Sequence, residues 1–467
     1  MKTLHTLLGG MPRGGTTLAA KFLSLHPEVF CYAGETHLLP LLHDLCGHAP
    51  CLPENADRVI AFLHAQLSQT LLEMPRFSVS RGAHPANLIF DDSSLATLMD
   101  TVERAIRGGL WGSDLYRTAL DALTALIGGG DPRPLLGEKT PGNIFPMREY
   151  GPVEGSRYVV IVRDPVGALK SMFVRTQNEK DVYAAAFSPH VFRNIGLYVE
   201  YAKAIAPIVG QPGVTVLSYE TIATNPAAAL TTLWGIFGFI PDARTIAFVE
   251  GAPDNGLADR APMRYRRLSF SPTFDGMSQA DLWLTLTLTR GVRDALGYSD
   301  EHMRGLGYQL PGDWPGASPD GTIAPLAGFY PDGMTFRRRA SIVVYLPWRD
   351  ACELRLSVSG VVPPVFGGDA VTLAARVDGS ERGCVSAPGG DGAMPDLVFT
   401  LEPEHLTPMG ATGACALIDL EASREYTPLS HLPGGVDARV RAFRLATAEA
   451  RHGGRRIVLF PPSSAVS

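Results

Sequence analysis

The first two thirds of the chain alternate short apolar runs with segments of helical periodicity. KTLHTLLGG at residues 2–10 predicts a short buried strand, and the apolar residues of TTLAAKFLSLHP after it recur at helical spacing. Two later apolar runs, at 156–165 and 213–220, predict further buried strands, each followed by a helix, and residues 54–127 are mostly helical in pattern. Strands that alternate with helices predict an α/β domain whose parallel sheet is covered by helices on both faces.

The pattern changes near residue 310. Residues 311–325 contain four prolines and three glycines, which is typical of a linker. Beyond them apolar residues recur at every second position, in the runs Leu354, Leu356, Val358; Val371, Leu373, Ala375, Val377; and Ala414, Ala416, Ile418, Leu420. Such runs, separated by glycine- and proline-rich turns, predict a smaller antiparallel β-sandwich at 326–467, after an α/β domain at 1–310.

Composition and charge exclude several classes of protein. At 467 residues the chain is long enough for two or three domains, and 45% apolar with 19% charged residues is typical of a protein with a sizeable buried core. A net charge of −6 predicts no nucleic-acid partner, so an anionic ligand would need a local cluster of basic groups. No apolar run reaches the ~20 residues of a membrane span.

The cysteines and the first apolar segment favour the cytoplasm. Six cysteines without a CxxC pair are sparse for this length, which fits a reducing compartment. The apolar segment at 4–8 runs directly into a glycine-rich loop, so cleavage as a signal peptide would destroy that loop. The spacing of His43, Cys46, His48 and Cys51 matches no common structural zinc pattern, and buried thiols beside loop histidines are the favoured interpretation.

The segment GGMPRGGTTLAAKF at residues 9–22 is the main chemical signal. A strand, a glycine turn and a helix N-terminus together form an anion site, because the first helical amides have no intrahelical partner. From Gly10 the sequence satisfies G-x4-G but continues with Thr16 and Thr17, where a nucleotide triphosphatase requires lysine at the first of these positions. The cation inside the loop is Arg13, so a magnesium-dependent triphosphatase is disfavoured, and a structural glycine turn stays an alternative.

Further motifs follow this loop in a specific order. PRGGTTL with HPEV, then GETHLLP, GEKTP and RDPVGALKS, together resemble the sulfotransferases, and residues 11–40 are most similar to the tyrosylprotein sulfotransferases and related bacterial enzymes. The resemblance covers about residues 4–307. It implies a P-loop-like α/β fold and transfer of sulfate from 3′-phosphoadenosine 5′-phosphosulfate (PAPS), with the desulfated nucleotide PAP as product.

PAPS carries two separated anionic groups, so the resemblance implies two anion sites. The 5′-phosphosulfate would be bound by the loop, through the side chain of Arg13, the amides of Gly14, Gly15, Thr16 and Thr17, and the two threonine hydroxyls. The 3′-phosphate would be bound by Arg163 and Ser171, since the planar fork of an arginine donates two bonds to a phosphate. For Arg163 alone, a strand-end salt bridge is the alternative.

Two further positions bear on the nucleotide. Tyr219, in LSYETIATNP, matches a segment that lies near the nucleotide in the family, with a buried core aromatic as the alternative. The family also closes over the nucleotide with a late basic segment. Here that segment contains three arginines to which we assign no role, Arg264, Arg266 and Arg267.

The resemblance also implies the catalytic groups. Glu35 would be the general base, with a helix N-terminal carboxylate as its alternative role. His37 is the rival base and is expected to contact the acceptor. Lys139 would stabilise the bridging oxygen of the leaving group, and Glu138 would orient the local backbone. Arg13 and Lys139 would replace the magnesium of kinases, so no metal is implied.

Sequence alone does not choose the acceptor, because one fold serves many acceptors. The C-terminal part weakly resembles β-rich modules attached to bacterial polysaccharide enzymes, and either a glycan module, a docking module or a purely stabilising domain fits it. We therefore expect O-sulfation of a carbohydrate, such as a bacterial glycan, oligosaccharide or glycolipid. The alternatives are a tyrosyl or phenolic hydroxyl and, in another class, a catalytically degenerate nucleotide- or glycan-binding protein.

Overall fold

The chain divides into two compact units. The computed structural model describes residues 4–32, 34–73, 90–130, 134–152, 155–176, 190–254, 256–257, 277–310, 312–330, 335–359, 366, 369–387 and 394–459. The first unit comprises Met1–Ala168, Tyr201–Pro272 and Pro433–Val436, and the second comprises Leu169–Glu200, Thr273–Leu432 and Asp437–Ser467. The division at 1–310, 311–325 and 326–467 stays a prediction from composition.

The first unit contains a five-stranded parallel sheet. Its strands are β1 (Leu4–Gly10), β2 (Val29–Tyr32), β3 (Leu135–Lys139), β4 (Arg157–Val162) and β5 (Val214–Ser218). They lie in the order β2-β3-β1-β4-β5, and every neighbouring pair is parallel. The predicted parallel sheet is confirmed. Strands β2 and β3 were not predicted, because four or five residues are too few to show a period.

Helices occupy most of the intervening chain. In chain order they are α1 (Thr16–Ser24), α2 (Leu38–Cys46), α3 (Ala56–Ser68), α4 (Asp92–Arg107), α5 (Gly112–Gly130), α6 (Ile144–Tyr150), α7 (Pro165–Thr176), α8 (Val191–Ile205), α9 (Tyr219–Thr224), α10 (Pro226–Gly235), α11 (Ala243–Val249), α12 (Gln279–Leu288), α13 (Arg290–Ala295), α14 (Asp300–Gly305) and α15 (Pro428–His431). Among these described helices, none is long and apolar enough to cross a membrane.

Alternate residues of β4 show that helices cover both faces of the sheet. Val159 and Ile161 point to one face and belong to a buried cluster with residues of α1, α10 and α11. Tyr158 and Val160 point to the opposite face and are also fully buried. There the Tyr158 hydroxyl lies 3.4 Å from that of Tyr116 on α5. A strand buried on both faces explains why VVIV contains no polar residue.

The second unit is rich in antiparallel strands, as predicted. They are β6 (Thr322–Phe329), β7 (Thr335–Leu346), β8 (Cys352–Ser359), β9 (Val371–Val377), β10 (Ser380–Ala387), β11 (Leu397–Leu401), β12 (Thr407–Met409), β13 (Gly413–Ala422), β14 (Phe443–His452) and β15 (Arg455–Val458).

These strands form one hydrogen-bonded path, β10-β9-β13-β7-β14-β8-β11, with β6, β12 and β15 paired alongside it. The two ends of that path approach each other, since a Cβ on Gly383 of β10 would lie 3.4 Å from the Cβ of Phe399 on β11. The sheet therefore folds back on itself and encloses the apolar residues that the period-two runs predicted.

Candidate active site

The strand order of the first unit places a crevice at the carboxyl edge of its sheet. From β1 the chain passes to β2 and β3 on one side, and then crosses to β4 and β5 on the other. Ligands of open parallel sheets bind outside the carboxyl ends of the strands at such a switch point. The loop after β1 lies at this point, and the predicted residues of the GETHLLP, GEKTP, RDP and SYE motifs follow β2, β3, β4 and β5.

Glycines shape the loop between β1 and α1. Gly10 has φ 142°, and a Cβ there would overlap the carbonyl oxygen of Ile161. Gly14 donates its amide to the Met11 carbonyl over 2.9 Å. Gly15 caps α1 with φ 94° and ψ 14°. A side chain at these positions would meet backbone or strain the turn, so the loop has the close-fitting form that an anion cradle needs.

The amides that head α1 are the predicted anion donors of this loop. Thr16 and Thr17 are its first two residues, and the amides of a first turn have no intrahelical partner. Because the Gly14 amide already donates to Met11, the donor set is better described as Gly15, Thr16 and Thr17. The Thr16 side chain is buried and that of Thr17 is exposed. Arg13, with φ 64°, holds the left-handed conformation in the turn before them.

The ends of β2 and β3 bring the predicted base and the second cation together. The Nζ of Lys139 donates to the Oε1 of Glu35 over 2.7 Å, and the Nε2 of His37 lies 3.2 Å from Oε2 of the same carboxylate. Glu35 is 28% exposed and Lys139 only 2%. Burial opposes ionisation of Glu35, but Lys139 and His37 outweigh it and hold the pKa of the carboxyl well below its usual range. The carboxylate is therefore ionised and paired.

A buried network lies directly beneath this pair. Glu138, fully buried, accepts hydrogen bonds on Oε1 from the Thr36 hydroxyl at 3.0 Å and the Thr140 hydroxyl at 2.6 Å, and on Oε2 from Asn143 Nδ2 at 2.5 Å. The Thr36 amide points to the same side, 3.4 Å from Glu138 Oε1. Asn143 also donates to the Leu8 carbonyl, which ties the network to β1. These contacts agree with the predicted orienting role of Glu138.

We call Glu35, Thr36, Glu138 and Lys139 the Lys139 cluster. The two segments pair in opposite chain directions: the partly exposed Glu35 pairs with Lys139, and the next residue, Thr36, pairs with the preceding one, Glu138, inside. Burial, together with the like charge of Lys139, lowers the pKa of Lys21 on α1, so a second ammonium group lies close to this cluster. The sequence interpretation missed Lys21, although its position one turn beyond the loop was a signal.

The register of β4 and β5 places Arg163 beside Tyr219. Val162 pairs with Ser218 at the strand ends, so the next residue of each strand comes side by side. The Arg163 Cζ lies 3.9 Å from the centre of the Tyr219 ring, which is a cation–π contact. Tyr219 is half-buried, so its ring is not enclosed in the core and one face contacts the guanidinium.

This pair also contacts the loop after β1. The Nη1 of Arg163 donates to the Arg13 carbonyl over 2.8 Å. A Cβ on Gly15 would lie 2.8 Å from Cδ2 of Tyr219, so the ring packs against the cap of α1. The two predicted anion anchors, Arg13 and Arg163, are thus joined by a hydrogen bond although 150 residues separate them.

One residue further along, two acids meet. The backbone amide of Asp164 donates to Oε1 of Glu220 over 3.0 Å, and the Gly167 amide donates to Oδ1 of Asp164 over 2.7 Å. Both side chains are buried, Asp164 completely. Burial and the neighbouring Glu220 raise the pKa of Asp164 to about 7. We call Arg163, Asp164, Tyr219 and Glu220 the Arg163 cluster; the sequence interpretation had not paired these acids.

The remaining predicted residues are Ser171, the three late arginines and the histidines of the segment at 43–51. Ser171 lies in the second turn of α7 and is half-buried, on a helix that begins two residues after Arg163. Arg264, Arg266 and Arg267 lie outside the described residues. The rings of His43 and His48 meet edge to face at 4.8 Å, and in the described part of the chain no group of three or more His, Cys, Asp or Glu side chains is arranged to hold a metal ion.

The loop geometry, the cations at the strand ends and the motif order agree with a sequence-family match. The model of the Sulfotransferase family matches residues 6–239, which is half of the 467-residue chain. The chain belongs to the sulfotransferase family. The match spans β1 to β5 and therefore includes both clusters. The sulfotransferase enzyme class and sulfuryl transfer, the reaction of the family, follow from this membership. No curated protein matches the chain.

Solved sulfotransferase structures resemble the chain at low identity. A sulfotransferase domain from the curacin biosynthetic pathway is 20% identical, covers 67% of this chain and 99% of its own, and has a TM-score of 0.33. A sulfotransferase domain from the olefin synthase of Synechococcus PCC 7002 is 17% identical, covers 67% of this chain and 98% of its own, and has a TM-score of 0.34. The sulfotransferase STF9 of Mycobacterium avium is 14% identical, covers 67% of this chain and 79% of its own, and has a TM-score of 0.35. At these values the structures identify neither a donor nor an acceptor for this chain.

Proposed function

We propose that this sulfotransferase moves a sulfuryl group from PAPS to a hydroxyl group of a carbohydrate, with Glu35 as general base. The observation that carries the proposal is the set of groups at the carboxyl edge of the first sheet. Arg13, the first amides of α1, Lys139 and Arg163 supply positive charge there, and an ionised carboxylate contacts Lys139. An anionic donor and a proton acceptor are what such a set of groups can serve.

The residues fit the donor. When bound, PAPS supplies an activated sulfuryl group attached to a phosphate leaving group. Arg13 and the amides of Gly15, Thr16 and Thr17 would hold the phosphosulfate end, because a helix N-terminus favours negative charge. Arg163, whose guanidinium rests on Tyr219, would hold the 3′-phosphate. Ser171 stays a predicted second ligand of that phosphate.

Glu35 can accept the proton of the acceptor hydroxyl. As the acceptor oxygen bonds to sulfur and the sulfur–phosphate oxygen bond breaks, that proton would pass to the Glu35 carboxylate. Lys139 would neutralise the charge on the departing phosphate oxygen. Lys139 would also divide its attraction between Glu35 and the bound anion, and Glu35 would then be a stronger base than in the free enzyme. His37, which contacts Glu35, is placed to orient this carboxylate and to meet the acceptor.

A carbohydrate is our proposed acceptor, in the form of a bacterial glycan, oligosaccharide or glycolipid. The support is the weak resemblance of the β-rich C-terminal part to modules of bacterial polysaccharide enzymes. A tyrosyl or phenolic hydroxyl is the alternative. The cytoplasm is the location predicted from the sequence.

Calorimetric titration with PAP tests the donor. We expect PAP to bind and ATP, which lacks the 3′-phosphate, to bind much more weakly. Arg163→Ala should weaken PAP binding by about ten- to a hundredfold, the effect of losing charged hydrogen bonds. Arg244→Ala is the matched control, because Arg244 is 63% exposed and pairs with Asp254 on the surface. Equal binding of PAP and ATP would contradict the donor assignment.

Incubation with ³⁵S-labelled PAPS and a panel of glycans, peptides and phenols tests the acceptor. Label transfer to a glycan fraction is expected. Transfer to peptides or phenols alone would replace the carbohydrate by the alternative acceptor. PAP binding without transfer to any hydroxyl would indicate a degenerate nucleotide-binding protein.

A further inference from the structure

The Arg163 cluster contains two acids to which the transfer reaction gives no role. Because Val162 and Ser218 are paired, the dipeptides Arg163-Asp164 and Tyr219-Glu220 leave the sheet side by side. Their first members form the cation–π pair, and their second members meet inside the protein. The same register therefore places Arg163 beside Tyr219 and, one residue further along each segment, Asp164 beside Glu220.

The inner contact is closed to water and needs a proton. Asp164 is fully buried and Glu220 is 5% exposed. The backbone bond brings Glu220 against Asp164, and burial beside this second acid raises the pKa of the Asp164 carboxyl group. Two adjacent buried carboxylates cannot both be ionised without a large cost. The charged groups that face Asp164 are Glu220 on α9 and Arg163, its neighbour in the chain.

Asp164 and Arg163 are also in close contact with the same backbone. A Cβ on Gly167, in the first turn of α7, would lie 2.5 Å from Oδ2 of Asp164 and 3.1 Å from Nε of Arg163. Glycine is required there because both side chains pack against that position. The Asp164 carboxyl group and the Arg163 guanidinium are therefore neighbours over the same backbone.

We propose that Asp164 and Glu220 are positioning residues for Arg163: by sharing one proton, they join the end of β4 to the start of α9 and hold the guanidinium on the Tyr219 ring, ready for the 3′-phosphate. This proposal rests on the proposed role of Arg163 in donor binding. Neither acid touches the ligand; both act through the arginine.

Loss of the shared proton would weaken the positioning of the Arg163 guanidinium. Two neighbouring carboxylates would repel each other, and an ionised Asp164 would also attract the Arg163 guanidinium away from the ligand side. Since Asp164 titrates at about pH 7, donor affinity should be constant below that pH and fall above it. For one linked proton the limiting loss is about tenfold per pH unit.

Calorimetry with PAP between pH 6 and pH 8.5 measures this dependence. Asp164→Asn is the informative variant, because its amide can donate to Glu220 and accept from Gly167 without titrating. We expect the wild type and Asp164→Asn to bind PAP equally at pH 6, and the wild type to bind about tenfold more weakly than the variant at pH 8. The ratio of the two affinities cancels the titration of the PAP phosphates. Asp242→Asn, which changes an exposed helix cap, should follow the wild type.

Glu220→Gln provides a second, independent variant. Its amide oxygen can still accept from the Asp164 backbone and its NH₂ can donate to an ionised Asp164, so its PAP affinity should also be flat with pH. Infrared spectroscopy without nucleotide should show a protonated-carboxyl C=O stretch in the wild type that disappears near pH 7. The same band should be absent from Asp164→Asn.

The outcomes separate this proposal from the proposed function. PAP affinities that stay parallel across pH in the wild type and Asp164→Asn would overturn the positioning role, while the PAPS assignment stands. An infrared band that does not depend on Asp164 would overturn the shared proton. Absence of PAP binding at pH 6 in every variant would overturn the donor assignment and this proposal with it.

Discussion

The Lys139 cluster and the Arg163 cluster share a two-layer plan. In each, two segments leave neighbouring strands or follow them closely, an outer pair of side chains contacts the crevice, and the next residues pair inside. Glu35 with Lys139 and Arg163 with Tyr219 are the outer pairs. A buried acid anchors each inner layer: Glu138 in the Lys139 cluster and Asp164 in the Arg163 cluster. In the Arg163 cluster the plan follows from parallel register, which carries two successive residues of each strand together. In the Lys139 cluster that register pairs Glu138 with Tyr32, and the segment after β2 brings Thr36 to Glu138.

The clusters differ in the groups that surround the buried acid. Glu138 accepts hydrogen bonds from neutral hydroxyl, amide and backbone donors. Burial raises the pKa of Glu138, and those donors oppose the rise. Asp164 instead faces a second acid, Glu220, so a proton has to complete the contact. One anchor therefore depends on its hydrogen-bond donors and the other on pH, although each lies beside a cation, Lys139 in one cluster and Arg163 in the other.

The largest expected effect comes from the outer layer of the Lys139 cluster. Glu35→Gln should lower the rate of sulfuryl transfer by about 10²–10⁴-fold, because an amide cannot accept the acceptor's proton. PAP affinity should be kept or improved, since the variant leaves Lys139 without its carboxylate partner. Transfer of ³⁵S from PAPS measures the first effect and calorimetry the second.

His37→Ala is the control for the rival assignment. Since His37 contacts Glu35 from the side opposite Lys139, its loss should reduce transfer less than Glu35→Gln does. Near-normal transfer by Glu35→Gln together with an inactive His37→Ala would make His37 the base.

The inner layer of the same cluster should give the next largest effect, on stability. Glu138→Ala leaves the Thr36, Thr140 and Asn143 donors buried without their acceptor, and should cost about 3–9 kcal/mol of unfolding free energy, at 1–3 kcal/mol per lost partner. Urea unfolding of the wild type and the variant measures this loss of unfolding free energy. Asp242→Ala, an exposed cap, should cost only ~1 kcal/mol. A similar small cost for Glu138→Ala would show that the network is not the anchor we describe.

Part of this plan could be predicted from the sequence. The glycine loop, the parallel sheet and the positions of Glu35, Lys139 and Arg163 follow from local patterns and motif order, because each pattern lies within a few consecutive residues. Strands β2 and β3 are too short to show a period, so the position of Lys139 at the end of a strand was not predicted.

The inner layers could not be predicted in the same way. Asp164 and Glu220 are brought together by strand register across 56 residues, and Thr36 meets Glu138 across 102 residues in the segment after β2. A single sequence does not contain that register. One signal was present: Asp164 and Glu220 lie at the ends of the two predicted strand segments, 156–165 and 213–220, and parallel neighbours would bring them together.

The proton in the Arg163 cluster predicts a pH dependence of stability. Asp164 has a folded-state pKa of about 7, above the ~3.9 of an exposed aspartate, so the folded state holds a proton that the unfolded state releases. Its contribution is complete below about pH 4 and declines by up to ~1.4 kcal/mol per pH unit until about pH 7. Urea unfolding of the wild type and Asp164→Asn between pH 4.5 and 8 should show a difference with this slope; parallel curves would contradict the raised pKa of Asp164.

The smallest expected effect concerns the outer layer of the Arg163 cluster. Tyr219→Ala removes the ring beneath Arg163 and should weaken PAP binding by about 2–30-fold, which corresponds to the ~0.5–2 kcal/mol of a cation–π contact. Tyr219→Phe keeps the ring and should bind PAP as the wild type does, when both are measured by calorimetry at pH 6.5, where the inner pair is protonated. Equal weakening by Phe and Ala would mean that the hydroxyl group contacts the nucleotide directly. The ring would then be a ligand and not a support. Both members of each outer pair would then contact a substrate: the donor in the Arg163 cluster, and the acceptor and the donor in the Lys139 cluster.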